Sequence, residues 1–269
     1  MKPDLNSLTL KTSLKALADF LMPRACLACG RMLEPDEDDL CGECAADLPL
    51  TRYSRRERNP MSDRLNARLQ EHLDARIAAA EAAGTVLPPF EPYTNATALF
   101  FYSGLSPHSA IPRHLKYHRG RRTGRRFGAR LGEELAASPL YADADLVVPV
   151  PLHPLRRWKR GYNQAEVLAA AVAGALPQAR LDATLLTRKR RTATQTRLSV
   201  EEKMKNVGGA FAVSARRLGK GLPACRHILL IDDVCTTAST LAACHAALRE
   251  VFPPSVRISA ATLCFTGVF

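Results

Sequence analysis

The chemistry in this 269-residue chain is concentrated between Asp232 and Thr240, where two adjacent carboxylates are followed by Thr236, Thr237, Ser239 and Thr240. A hydroxyl-rich run that opens a helix suits an anion. Free backbone N–H groups and the positive end of the helix dipole converge there, and the hydroxyls add donors. Asp232 and Asp233 beside such a nest would repel a phosphate, so they serve another end. Accepting hydrogen bonds from the vicinal hydroxyls of a ribose fits, because a sugar 5-phosphate presents hydroxyls and phosphate close together. The plainer alternative is an ordinary strand-turn-helix in which Asp, Ser and Thr act as caps.

A second constellation lies near the N-terminus. Cys26, Cys29, Cys41 and Cys44 form C-x2-C-x11-C-x2-C, with Gly30 and Gly42 where tight knuckle turns want them. Two such knuckles let four thiolates converge tetrahedrally on zinc, and a closed four-thiolate site is structural because no coordination position stays open for catalysis. The stretch around them holds too few large apolar residues to fold without the metal. Cys225, Cys235, Cys244 and Cys264 are scattered and read as small core residues, which argues against a secreted disulfide framework.

The third feature is charge. The chain carries a formal net charge of +12, which implies an anionic partner: nucleic acid, polyphosphate or a membrane surface. From Arg113 to Arg130 the cations Arg113, Lys116, Arg119, Arg121, Arg122, Arg125, Arg126 and Arg130 occur without one acid. From Arg156 to Tyr162 the order is Arg156, Arg157, Trp158, Lys159, Arg160, Gly161, Tyr162, so cations and aromatics interleave. Arg188 to Lys205 mixes bases with Thr, Gln and Ser, and reads as a surface loop or as a lid over a ligand.

These residues need elements to position them. Ile228–Ile231 is continuously apolar and predicts a buried parallel strand that ends at the acids, with a helix after it carrying Leu241, His245 and Leu248 on one face. Ala98–Tyr102 and Leu146–Val148 predict further strands, and Ala165–Leu176 a helix. The Arg156–Tyr162 turn then falls at the C-terminal end of a strand, where α/β proteins bind ligands. Leu10, Leu14, Leu17 and Leu21 predict a short amphipathic helix over Ser7–Met22. Leu65, Leu69, Leu73 and Ile77 behind Asn59-Pro60 predict another, either packed on a neighbour or linking two domains. The expected organisation is a zinc-binding module over 1–53, a charged helical linker over 54–90 and an α/β domain over 91–269. There is no apolar run of membrane-spanning length, and Lys11, Lys15 and Asp19 interrupt the N-terminal apolar stretch, so a cytoplasmic protein is expected.

IDDVCTTAST, Ile231 to Thr240, resembles the phosphoribosyl pyrophosphate (PRPP) motif of type I phosphoribosyltransferases. There the two acids hold the ribose and the Thr-rich loop holds the 5-phosphate. One departure is Ala238, where that pattern usually has Gly; at positive φ a Cβ costs roughly 1–2 kcal/mol. PVPLHPLRRWKRGYNQAEVLA, Pro149 to Ala169, is more specific and resembles the ComF family (ComF/GntX) of competence proteins, which are phosphoribosyltransferase-like and linked to DNA uptake. The zinc knuckles, Leu115–Gly120 and Arg188–Phe211 are similar to the same family, whereas Arg55–Phe90 stands where many relatives carry further cysteine knuckles.

The resemblance implies an α/β fold with a type I phosphoribosyltransferase-like, mostly parallel sheet. It makes Asp232 and Asp233 the catalytic candidates on the ribose, and places the 5-phosphate on Thr236, Thr237, Ala238, Ser239 and Thr240. It puts Arg157, Arg160 and Gly161 near pyrophosphate. Magnesium would arrive with PRPP, held mainly by substrate oxygens and water. Two functions fit. In one the protein handles single-stranded DNA during uptake, with Arg157, Trp158, Arg160, Tyr162, Arg188 and Arg191 as contacts. In the other it is an active transferase passing phosphoribosyl to an unidentified acceptor. Its zinc module and helix would also suit a scaffold for other DNA-uptake proteins.

Overall fold

The central apolar runs pair side by side, with helices covering both faces of them. The computed structural model describes residues 24–117, 120–188 and 210–267. Its main sheet has the order β1 (Ala96–Phe101), β7 (Arg257–Phe265), β6 (His227–Cys235), β2 (Leu146–Pro149) and β3 (Arg180–Leu181), and every pairing is parallel. Two short antiparallel strands, β4 (Leu186–Arg188) and β5 (Phe211–Val213), form a separate pair. The chain is therefore an α/β protein with a phosphoribosyltransferase-like parallel sheet, preceded by a four-cysteine module.

Alternate residues of β6 feed the two cores: Ile228 and Leu230 one, Leu229 and Ile231 the other. On one side α8 (Ser239–Arg249) and α2 (Pro60–Ala83) cover the sheet; on the other lie α3 (Ala110–Tyr117), α4 (Arg121–Ala136) and α6 (Gln164–Ala175). The sequence reading ended the central strand at the acids. In the structure Asp232 and Asp233 lie inside β6, because β7 continues alongside and pairs Asp232 with Thr262 and Val234 with Cys264.

The charged insert is not a spacer. Asn59 caps α2 by accepting from the Met61 and Ser62 N–H groups, and Gly84 ends it at φ 62°. Met61, Leu65 and Leu69 are buried in the same core as α8. Asn59 Nδ2 and Ser62 Oγ both donate to the Ala96 carbonyl at 3.0 Å, so the helix also holds the start of β1.

The cation-rich stretch finds its acids in the zinc module. Arg126 bonds Asp38 at 2.8 Å and Asp39 at 3.0 Å, and Thr123 Oγ1 donates to Asp39 at 2.7 Å. Along α4, Gly124, Gly128 and Gly132 form a row against α6. A Cβ at Gly132 would lie 2.6 Å from Ala175 Cβ, and one at Gly128 2.8 Å from Ala171 Cβ. The two helices touch backbone to backbone, which fixes α4 and the residues at its N-terminus relative to α6. Among the described residues no helix is long and apolar enough to cross a membrane. The expected Ser7–Met22 helix, Arg119, Arg191 and the rest of the segment after Arg188 lie outside the described residues.

Candidate functional site

Asp232 and Asp233 open into a cleft of about 240 Å³ beyond the C-terminal ends of β2 and β6, the edge where parallel α/β sheets bind ligands. Lys116, Arg156, Arg160 and Arg188 line it with the two acids, as do Thr236 and Thr240. Lys116 Nζ sits 3.0 Å from Asp233 Oδ2, and the Asp233 N–H donates to Asp232 Oδ1 at 2.8 Å. Burial, and then the charge of Asp233, push the Asp232 carboxyl well above the usual carboxylate range.

The turn from β6 into α8 is shaped by Ala238, which adopts φ 61° and ψ 0° as the N-cap of the helix. The left-handed conformation that the glycine-bearing pattern implies is therefore present, with a Cβ on it. Thr237 Oγ1 and Ser239 Oγ lie 3.0 Å apart across the turn. Thr236, Thr237 and Thr240 are exposed, so their hydroxyls are accessible to a ligand, whereas Ala238 is buried.

The opposite wall comes from α5 (Pro154–Arg160), which ends at Gly161 with φ 75°. Arg160 Nη1 donates to Gln164 Oε1 at 3.0 Å and so is held at the cleft. Arg157 departs from expectation: it turns along the surface to Glu166 at 2.7 Å and does not line the cleft, while Arg156, one residue earlier on the helix, does. Gly161 does not line it either; its carbonyl accepts from Arg121 at 3.2 Å. A further basic cleft of about 690 Å³ adjoins the first and shares Lys116, Arg156 and Arg160, adding Lys159 and Tyr117.

Tyr162 is a correction of another kind. It is buried, its hydroxyl donates to the Leu115 carbonyl, and Arg121 covers its ring with 5.0 Å to the centroid. No base could stack on it. Trp158 is 82% exposed, and Tyr117, which the sequence reading passed over, is 71% exposed with Arg160 5.9 Å from its ring centroid. Arg188 does reach the cleft, and its guanidinium lies over Phe211. Lys116 and Arg156 lay within charge runs and within stretches that resemble the family, but nothing in their spacing distinguished the two that turn inward.

The four cysteine sulfurs lie within 4.8 Å of one another, with Cys29 and Cys41 Sγ 3.8 Å apart. That suits zinc, whose tetrahedral Zn–S bonds of ~2.3 Å set sulfurs roughly 3.8 Å apart. Burial alone would raise the Cys26 thiol, but N–H groups of Cys29, Cys41 and Ala28 outweigh it and lower Cys26 to about 6. Burial and the three neighbouring sulfurs push Cys44 up, so four thiolates need a cation among them. The module is a four-cysteine structural zinc site, and Glu37 braces it by accepting from the Gly42 N–H at 2.6 Å.

Residues 17–55 match the double zinc ribbon domain family. The chain is 32% identical over 114 residues to Competence protein F of Haemophilus influenzae, covering 42% of this chain and 48% of that protein. It is 38% identical over 98 residues to the DNA utilization protein YhgH of Escherichia coli K12, covering 36% of this chain and 40% of that one. The match to YhgH of Salmonella typhi is 39% over 98 residues. The chain thus spans at most about half the length of the curated relatives it matches. Over these stretches the chain, a zinc ribbon ahead of a phosphoribosyltransferase-like sheet, is similar to a competence protein and to DNA utilization proteins.

Proposed function

We propose that the cleft binds PRPP or a related 5-phosphorylated ribose, and that the protein serves DNA uptake by holding single-stranded DNA along the adjoining basic cleft. One observation carries this: Asp232 and Asp233, Thr236 and Thr240 of the turn after them, and the cations Lys116, Arg156, Arg160 and Arg188 line one cleft. Acceptors for ribose hydroxyls, a nest for a 5-phosphate and cations for pyrophosphate are thus present together, and these are the three groups that PRPP presents. The names of the relatives, a competence protein and a DNA utilization protein, supply the biological setting.

The residues fit magnesium in the role it takes with such a ligand. Asp233 Oδ2 is buried and accepts no well-directed hydrogen bond; it and Asp232 would take magnesium-bound water or the ribose hydroxyls. The ion supplies charge neutralisation on the pyrophosphate. DNA repeats the phosphate-sugar unit, and Tyr117 and Trp158 offer exposed aromatic faces next to Arg156, Lys159 and Arg160.

A second reading is an active phosphoribosyltransferase. It is favoured by the concentration of cations where pyrophosphate would depart, since stabilising a leaving group lowers the barrier to cleavage at C1. Binding of PRPP with magnesium, followed by an assay of pyrophosphate release with candidate bases and with single-stranded DNA, separates the two. Binding without release supports the first reading; release that depends on an added base supports the second.

A further inference from the structure

The helix α2, which belongs to the segment that departs from the family pattern, reaches the phosphate turn from behind. Arg64 Nη1 donates to the Thr236 carbonyl at 2.6 Å and to the Thr266 carbonyl at 2.7 Å. Its guanidinium rests over the Phe265 ring, 4.5 Å from the centroid. One turn along, Arg68 Nε donates to the Thr237 carbonyl at 3.4 Å while Glu71 holds its other end at 2.8 Å. Neither arginine lines the cleft.

A trans peptide is planar and its N–H points opposite to its C=O. Drawing the Thr236 carbonyl toward α2 therefore turns the Thr237 N–H away from α2. It also removes from the turn an oxygen that would repel an anion. The backbone held this way includes Ala238 at φ 61°, a conformation that a residue with a Cβ leaves readily unless its surroundings impose it. Charge-assisted bonds to the two preceding carbonyls oppose that relaxation.

We infer that Arg64, backed by Arg68, is the positioning residue of the phosphate turn and holds at Ala238 the left-handed shape that glycine would adopt unaided. The inference rests on reading the turn as a 5-phosphate site. The insert thus compensates for the alanine, and the two departures of this chain from its family's pattern are one device.

The test is a double-mutant cycle in the full chain: native, Arg64→Ala, Ala238→Gly and the combination, with Arg64→Lys for rescue and Arg76→Ala as a control on the exposed part of the same helix. Ribose 5-phosphate affinity is measured by calorimetry, and amide hydrogen exchange at residues 236–240 without ligand. Arg64→Ala should weaken ribose 5-phosphate about tenfold and speed exchange in the turn, with part of both recovered by lysine and no change in Arg76→Ala. With glycine at 238 the loss should shrink to about threefold or less. Native-like binding and exchange in Arg64→Ala, or an equal loss in both backgrounds, overturns the inference. If the native chain takes no ribose 5-phosphate, the phosphate reading falls on its own, and the exchange rates still decide whether Arg64 holds the turn. Should Arg64→Ala fail to fold, Arg64→Lys in the two backgrounds completes the cycle.

Discussion

Lys116 Nζ lies 3.0 Å from Asp233 Oδ2 at the floor of the cleft, so a cation from α3 neutralises one of the two strand carboxylates before any ligand arrives. Removing it leaves two adjacent acids facing an incoming polyanion. Lys116→Ala should weaken PRPP binding by about tenfold or more, measured by calorimetry with magnesium present. Unchanged affinity would show that the pair plays no part in the site.

Asp232 gives a pH signature. Its carboxyl is raised above the ordinary range by burial and by Asp233, so folding favours its protonated form. The stability this contributes is present at pH below the ordinary carboxylate range and is lost as pH rises through the raised value. The melting temperature of the native protein should therefore fall as pH rises from the ordinary carboxylate range to about 8 and level off above it, and Asp232→Asn, which cannot ionise, should escape that part of the fall. Parallel melting curves of the two proteins would remove the basis for the shift.

The zinc module is tied to the rest of the chain. The His108 ring nitrogen Nε2 contacts the Cys44 carbonyl at 2.8 Å, and Arg126 bonds Asp38 and Asp39. The purified protein should hold about one zinc per chain, and Cys41→Ser should release it. Loss of the metal should then lower the melting temperature of the whole chain, since α4 loses the acids that pair with Arg126. A metal-free preparation with native stability contradicts the assignment.

The glycines of α4 and α6 make opposite predictions. At Gly132 an added Cβ meets Ala175 Cβ at 2.6 Å, whereas at Gly174 nothing lies within 4 Å. Gly132→Ala should cost about 1–3 kcal/mol despite the better helix propensity, and Gly174→Ala should gain roughly 0.5–1 kcal/mol. Chemical denaturation of both variants measures the difference, and the same sign in both would mean that the helices do not touch along this row.

What the sequence made legible follows from how local each feature is. Strands read as apolar runs and the cysteine knuckles depend on neighbours in the chain, and both are present. Features that depend on what a segment packs against were misread. The stripe Leu65, Leu69, Leu73 and Ile77 is compatible with a spacer or a core helix until β1 and α8 are beside it, when Leu65 and Leu69 are buried and Leu73 and Ile77 half-buried. Arg156 and Arg157 differ by about 100° around the same helix, and only Glu166 decides which of them turns from the cleft. Tyr162 looked available because the Leu115 carbonyl that buries its hydroxyl lies far away in the chain.

The central claim is that PRPP and DNA draw on the cations shared by two adjoining clefts, and the most direct measurement is competition. Single-stranded DNA affinity should be determined at two salt concentrations, with and without excess PRPP and magnesium, for the native protein and for Arg156→Ala/Arg160→Ala. The account predicts binding that falls steeply with salt through counterion release, that is displaced by PRPP, and that loses both affinity and competition in the double variant. Tight DNA binding untouched by PRPP and by those substitutions would contradict it and put DNA on another face of the molecule.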